Sequence, residues 1–361
     1  MHCFLSCKYK NNALFIRLLG NGNSGRMCKK ITFIGLSGSG RSSYIPVMAQ
    51  SLSRGFRLFN GQMLNVGSTT LEQAVQLRVE YQRMKKGEWP LGTLESINYN
   101  FYCSLGHDLI TEFNIKDYRG GLLDTCDEDE IEEQEDLFYS FENSDAILFF
   151  IGADDVRNAQ KNDDIRIAKI DYLLVIYEHL LCKGIIESKT PIMVVISKSD
   201  LLSDIEKKQA KDFVLSALHP LFGPGSNLMA AIVMINLGRK LKKNEQCEME
   251  GELFINPTQG NIYIPFLFSL FCIISNMLKD NLGKLKSVQL SDSIQVEGEI
   301  RPQISENLFV NFFLGKEYNK YESNKEIVSE KNILRILSGT ISKIKSVLLS
   351  EADVYINGVK Q

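Results

Sequence analysis

Short apolar runs alternate with longer stretches of helical period along most of the chain. The runs at 30–34, 146–151, 192–196 and 230–235 are almost uninterruptedly apolar and bounded by polar turns. Such runs are expected of parallel strands covered on both faces. Two further strand patterns, 94–103 and 109–116, flank Ser104-Leu105-Gly106-His107-Asp108, a hairpin signal. Helical periodicity marks 165–181, 205–218 and 265–278, and an additional helix is expected at 70–86. Strands alternating with helices predict an α/β domain with right-handed crossovers. Its sheet should have six strands, mostly parallel and made mixed by one antiparallel hairpin strand, with helices on its flanks.

The two ends of the chain read differently. Residues 1–28 form an N-terminal extension with a break at Gly20-Asn21-Gly22-Asn23-Ser24-Gly25. The α/β domain then takes 29–286, and 287–361 is expected as a small C-terminal helical module. Its helix shows as an apolar stripe over 332–349, after a polar stretch with one apolar patch at 308–314.

Composition narrows the function classes. In 361 residues, 41 Lys and Arg face 44 Asp and Glu, a net charge of −3, so no nucleic-acid partner is expected. The eight cysteines are scattered, with no CxxC pair, which argues against a zinc ribbon or a disulfide framework. Reduced thiols and a cytoplasmic location are the expectation. The most apolar stretch, 262–278, carries Pro265, Ser269, Ser275 and Asn276 and falls short of the roughly 20 residues a bilayer span needs. It reads as a buried helix. Lys8, Lys10 and Arg17 interrupt the first residues, so no signal peptide is expected.

The sharpest chemical signal follows the first strand: Gly35-Leu36-Ser37-Gly38-Ser39-Gly40-Arg41-Ser42-Ser43. Glycines let backbone N–H groups approach phosphate oxygens, and the helix start behind them adds its own N–H groups and positive dipole end. Ser42 stands where a hydroxyl ligates Mg²⁺. Arg41 replaces the usual Lys; it keeps the charge on a longer, planar head. A Gly/Ser-rich strand–helix loop with no ligand has the same composition.

Two downstream motifs add to the loop. Asp117-Tyr118-Arg119-Gly120 ends a predicted strand; the carboxylate suits Mg²⁺ through water, and the Gly120 N–H suits a terminal phosphate. A plain strand-ending turn reads alike. Ser197-Lys198-Ser199-Asp200 tips the apolar run 192–196. Asp200 can accept two hydrogen bonds from the N1–H and exocyclic amine of guanine, a pair that adenine lacks, and the Lys198 stem can lie on the purine face. A solvated charged turn is the plainer alternative.

Together, in this order, the motifs resemble a Ras-like P-loop GTPase domain over about 29–280. The first motif matches at Gly35, Gly40 and Ser42, the second at Asp117 and Gly120, and the base motif at Lys198 and Asp200. Trp89-Pro90 with Gly92-Thr93 ahead of the hairpin, and Asp117-Tyr118-Arg119-Gly120-Gly121, resemble the bacterial double-GTPase type found in conflict and defence gene neighbourhoods. The resemblance implies GTP or GDP bound across Gly35, Ser37, Gly38, Ser39, Gly40, Arg41, Ser42 and Ser43, with Ser197, Lys198 and Asp200 on the base. Mg²⁺ would be held by Ser42, Thr93 and Asp117. Arg41, Thr93 and Gly120 would serve hydrolysis and γ-phosphate sensing. Thr93 is taken as the switch threonine, with Ser68, Thr69 and Thr70 competing.

The departures carry meaning too. Ser197 stands for the usual Asn or Thr and should still cap the loop through its hydroxyl. Gly121 stands where a water-positioning Gln is common, so hydrolysis should be slow. Arg119 and Arg78 are candidate charge stabilisers, and Asn236 is a further base contact. Nine of the thirteen residues over 124–136 are acidic, either a solvated segment or a docking surface for a basic partner. His107, His179, His219 and Trp89 read as structural. The function expected is a GTP-binding switch acting on a protein partner, of open oligomeric state. A GTPase-fold scaffold or assembly subunit with weak or no hydrolysis is the alternative, and an ATP-dependent enzyme is disfavoured by Lys198 and Asp200.

Overall fold

The structure is a computed structural model. It describes residues 29–35, 37–57, 63–90, 95–106, 108–119, 122, 131–182, 190–224, 226, 229–243, 249–293 and 328–361.

Strand β1 (Lys29–Gly35) sits inside the sheet, and helix α1 (Arg41–Leu52) follows it directly. Next come β2 (Phe56–Arg57), β3 (Met63–Ser68) and α2 (Leu71–Lys85). The hairpin is β4 (Ile97–Leu105) and β5 (Asp108–Asp117), with a register shift between Cys103 and Ser104. Then follow α3 (Ile131–Glu142), β6 (Ala146–Gly152), α4 (Ala153–Asn162), α5 (Ile170–Cys182) and β7 (Ile192–Ser197). Helices α6 (Asp204–Ala217) and α7 (His219–Phe222) lead to β8 (Met229–Met234) and a separate hairpin, β9 (Gly238–Lys243) with β10 (Met249–Leu253). The last elements are α8 (Ile264–Ser293), α9 (Val328–Glu351), β11 (Asp353–Ile356) and β12 (Val359–Lys360).

The main sheet runs β12-β11-β8-β7-β6-β1-β5-β4-β3-β2. Its middle six strands, from β8 to β4, are the six read from the sequence. Pairings β5–β1, β1–β6, β6–β7 and β7–β8 are parallel, and β4 runs antiparallel to β5. The sheet has ten strands rather than six, because each edge is extended by an antiparallel hairpin. On one side β2 and β3 add to β4; on the other, β11 and β12 add to β8. These strands are two to six residues long. Runs of two to four residues show too few alternating positions to announce a strand, and β3, though as long as β7, is interrupted by Asn65, Gly67 and Ser68.

All residues of β6 and β7 are buried, as strands covered on both faces must be. One face packs on α1, α2, α8 and α9 through Tyr44, Met48, Leu77, Phe268, Phe271 and Ile344. The other packs on α3 to α6 through Phe141, Val156, Ile170, Leu173 and Val214.

The C-terminal segment is not a module of its own. Ile341, Ile344, Val347, Leu348, Val354 and Ile356 are buried in the same core as β1 and α1. Val354 pairs with Ala231 of β8, and Asp353 forms ion pairs with Lys211 of α6 and Lys360 of β12. The reason is physical: α9 has an apolar stripe to bury, and β8 has an open edge. The extension 1–28 and the 308–314 patch lie outside the described residues.

Burial of this kind sets a cost. Leu348→Ala removes a fully buried side chain between α9 and the sheet, and should destabilise the whole domain by about 2–5 kcal/mol in one cooperative transition. Urea unfolding followed by far-UV circular dichroism checks this. A separate, early transition for the C-terminal segment would contradict the shared core.

Candidate functional site

The ends of β1, β5, β6 and β7 that carry the motifs all lie at the same edge of the sheet, since these strands are parallel. The carboxyl edge of an open α/β sheet is where ligands bind.

Gly35, the last residue of β1, has φ 152°. A Cβ there would lie 2.6 Å from the Phe150 carbonyl oxygen and 2.7 Å from Ser39 Oγ. No side chain fits, so the chain can leave β1 close over β6 only with glycine. The loop then turns into α1, whose N-cap is Gly40 in the left-handed region with φ 86°. That cap has no side-chain hydrogen bond, so the first N–H groups of α1 are left for a ligand or solvent.

Ser197 ties the base motif to this loop. Its hydroxyl donates to the Ser39 carbonyl at 2.6 Å and lies 3.2 Å from the Ile151 carbonyl. One buried side chain thus links β7, the β6 terminus and the glycine loop. Lys198 follows with φ 56° and ψ 33°, a left-handed conformation that costs a non-glycine residue roughly 1 kcal/mol or more. The conformation is held by Ser199 N–H donating to the Ile235 carbonyl at 3.0 Å and Leu201 N–H donating to the Lys198 carbonyl at 3.1 Å. Strain so supported is typical of functional tips.

Around this tip lies a cluster of charges. Lys198 Nζ is 3.1 and 3.2 Å from the two carboxylate oxygens of Asp154. Burial raises the carboxyl pKa of Asp155, with the Asp154 charge adding to it. Burial also raises that of Asp200, against its own backbone hydrogen bond and the Lys207 and Lys198 charges. Asp154 and Asp155 were not among the residues singled out from the sequence. Their signal is the Gly152-Ala153-Asp154-Asp155 stretch after an apolar run, ambiguous with an ordinary helix start carrying acidic residues. Asn236 does reach this edge, but its amide donates to the Gly238 carbonyl at 2.9 Å and so shapes its own turn.

The second motif holds the largest departure. Asp117 is fully buried at the end of β5 and Arg41 is 4% exposed. Arg41 Nη1 lies 3.1 Å from Asp117 Oδ1 and donates to the Tyr118 carbonyl at 2.5 Å. Ser42 Oγ donates to Asp117 Oδ2 at 3.2 Å. The Ser42 and Asp117 side chains expected to flank a metal do meet, but the carboxylate between them is already neutralised by a buried guanidinium. Burial pulls the Arg41 pKa down and the Asp117 charge opposes this; an arginine stays charged even so. Like charges about 5 Å apart repel by roughly 3 kcal/mol at an effective dielectric of 20, and a divalent ion doubles that. As arranged, these residues do not fit a divalent cation against Asp117. Among the described residues no cluster of three His, Cys, Asp or Glu side chains offers another place for one.

Thr93, Gly120 and Gly121 lie outside the described residues, so the switch threonine and the terminal-phosphate glycine are expectations from sequence only. Their flanks are described. Arg119 Nε donates to Glu133 of α3 at 2.7 Å, and Ser96 Oγ, just before β4, donates to the same carboxylate. Asp136 receives Lys116 Nζ and lies 3.1 Å from the Tyr118 hydroxyl. The described part of the acidic run, 131–136, is therefore bound up with the β5 end rather than wholly solvated. Of the residues read as structural, His179 lies against Phe138 with ring centroids 4.3 Å apart and tilted by 41°, His219 begins α7 and Trp89 packs against the core; His107 is not described. Arg78 is exposed on α2.

No family profile matches the sequence, and no curated protein matches it either. Among solved structures, the chain is similar to a bacterial selenocysteine-specific elongation factor, EF-Sec, at 11% identity over 58% of this chain and 25% of the factor, with a TM-score of 0.28. It is also similar to the signal recognition particle receptor subunit SRb from Chaetomium thermophilum, at 11% identity over 58% of this chain and 90% of that one, with a TM-score of 0.33. A third is the small COPII coat GTPase SAR1 from Encephalitozoon cuniculi, at 14% identity over 70% and 78%, with a TM-score of 0.23. The match takes in only a quarter of the elongation factor's length. The fold is described by its own strand order and by the glycine loop between β1 and α1: an open, mixed α/β sheet with helices on both faces.

Ser197→Ala deletes the donor shared by two buried carbonyls. It should cost about 1–3 kcal/mol, read as a lower urea midpoint, and Ser197→Thr should recover most of the loss.

Proposed function

We propose that the chain is a guanine-nucleotide-binding switch with slow hydrolysis that acts on a protein partner. The observation that carries this reading is the hydrogen bond from Ser197 Oγ to the Ser39 carbonyl, which joins the base motif to the phosphate loop. Phosphates would lie against the N–H groups of 37–43 and the α1 terminus, where a helix favours negative charge. Asp200 would accept the N1–H and exocyclic amine of guanine, and the Lys198 stem would cover the purine face. The segments around Thr93 and Gly120 would respond to the γ-phosphate.

Hydrolysis would be slow for two reasons. Gly121 offers no side chain to position water. Arg41, turned onto Asp117 and Tyr118, is engaged away from the role of a free charge stabiliser. The resemblance to double-GTPases would place the switch in a bacterial conflict or defence system, in the cytoplasm. No described helix is long and apolar enough to cross a membrane. One observation favours the second reading, an assembly subunit of GTPase fold that binds nucleotide poorly: the same Arg41–Asp117 pair occupies the metal dyad.

Equilibrium binding of GTP, GDP and ATP decides between them. Wild type should prefer guanine nucleotides, and Asp200→Asn should weaken GTP by about tenfold or more while leaving ATP unchanged. ATP binding as tight as GTP would sink the base assignment, and no binding of any nucleotide would leave the assembly subunit.

The same variant has a stability signature. Because the folded-state pKa of Asp200 is raised, the folded protein holds that proton more tightly than the unfolded chain. Stability is therefore lost as pH rises from the ordinary aspartate range through the raised value. Asp200→Asn should make the nucleotide-free protein more resistant to urea at pH 7 than wild type. That gain should vanish in acid below the ordinary aspartate range, as chemical denaturation at the two pH values will show.

A further inference from the structure

We propose that the Arg41 guanidinium is the resident cation of the phosphate site, standing where a divalent metal would otherwise face Asp117, so that guanine nucleotide binds with an affinity independent of Mg²⁺. This rests on the nucleotide-binding reading above and removes the divalent-cation requirement from it.

Three observations carry the inference. Arg41 is the first residue of α1, directly after the N-cap Gly40, so its backbone belongs to the loop that would hold phosphate. Its side chain nevertheless runs to β5, where Nη1 contacts both Asp117 Oδ1 and the Tyr118 carbonyl. Both partners are nearly inaccessible, at 4% and 0% exposure, so water does not screen the pair. Arg41 Nε is buried and has no hydrogen-bond partner among the described residues. The guanidinium is thus held through Nη1, with Nε left as a further buried donor. Ser42 Oγ takes the other carboxylate oxygen, so Asp117 has Arg41 on one oxygen and Ser42 on the other.

Residue type explains why this arrangement depends on arginine. A guanidinium presents several donors in a planar fork, enough to serve a carboxylate and a carbonyl together from the side of the loop. A lysine ammonium is a point charge on a shorter reach. It can serve phosphate, leaving the carboxylate to a metal. The substitution at position 41 therefore exchanges one positive group for another within the same site. Breaking the pair by removing one partner is costly, because it strands a buried charge. A metal arriving with nucleotide would have to do that.

The test uses the full chain and a fluorescent N-methylanthraniloyl-GDP probe, titrated in millimolar Mg²⁺ and in excess EDTA. Wild type should show dissociation constants within about threefold of each other. In Arg41→Lys, EDTA should weaken binding by about tenfold or more, because the ammonium releases Asp117 to a metal. A tenfold or greater loss in EDTA for wild type overturns the inference and leaves the nucleotide-binding reading standing. Absence of probe binding in both buffers overturns both. Should Arg41→Lys not fold, the wild-type comparison alone decides.

Discussion

The site depends on where β1 lies. It is hydrogen-bonded in parallel to β5 on one side and to β6 on the other, so its carboxyl end opens between theirs. Everything with candidate chemistry then leaves one edge of the sheet within a few residues: the glycine loop from β1, Asp117 from β5, Asp154 after β6 and Asp200 after β7. The packing at that edge is tight enough to allow one residue type at Gly35, where a Cβ would meet both the Phe150 carbonyl and Ser39. Loop, strand and base motif are consequently not independent. The Ser197 hydroxyl, bonded to Ser39 and within reach of Ile151, ties the β7 tip to the glycine loop and to the end of β6.

The electrostatics of the edge follow from one residue, Arg41. With Arg41 committed to Asp117, the loop presents no uncommitted side-chain cation of its own among 37–43. Attraction for an anion then falls to the backbone N–H groups and to the α1 dipole, the equivalent of about half a positive charge at the helix start. The pair itself is not a large source of stability, since desolvating two ions offsets most of their attraction. Its effect is to fix geometry: it anchors the start of α1 to the end of β5.

Much of this was legible in the sequence because it obeys simple rules. The six central strands announce themselves as apolar runs of strand length, and α2 and α6 begin within a residue of where the periodicity puts them. The loop at Gly35–Ser43 and the tip at Ser197–Asp200 are short, contiguous motifs, and contiguous motifs survive without a structure. What was hidden depends on distance. Nothing local in Arg41 says that its guanidinium reaches residue 117, and nothing in Glu133 says that it meets Ser96 and Arg119. The sheet edges were hidden for another reason. The Asn357–Gly358 pair between β11 and β12 is a hairpin dipeptide, but two short strands after a 24-residue helix are outweighed by the helix's own periodicity.

The acidic segment shows how a bland composition can conceal an arrangement. Glu133 accepts from Ser96, three residues beyond Thr93, and from Arg119, adjacent to Gly120. The flanks of the two segments that a nucleotide switch needs are thus gathered on one carboxylate of α3. Magnitude decides what such a junction can do. Arg119 and Glu133 are 21% and 29% exposed, which puts the pair near the surface class worth about 0–1 kcal/mol. A buried pair of the Arg41–Asp117 kind is costlier to break, because parting it strands a buried charge. A partly exposed one costs little to exchange, so the contact that joins the start of β4 to the end of β5 through α3 is also one of the cheapest at this edge to break.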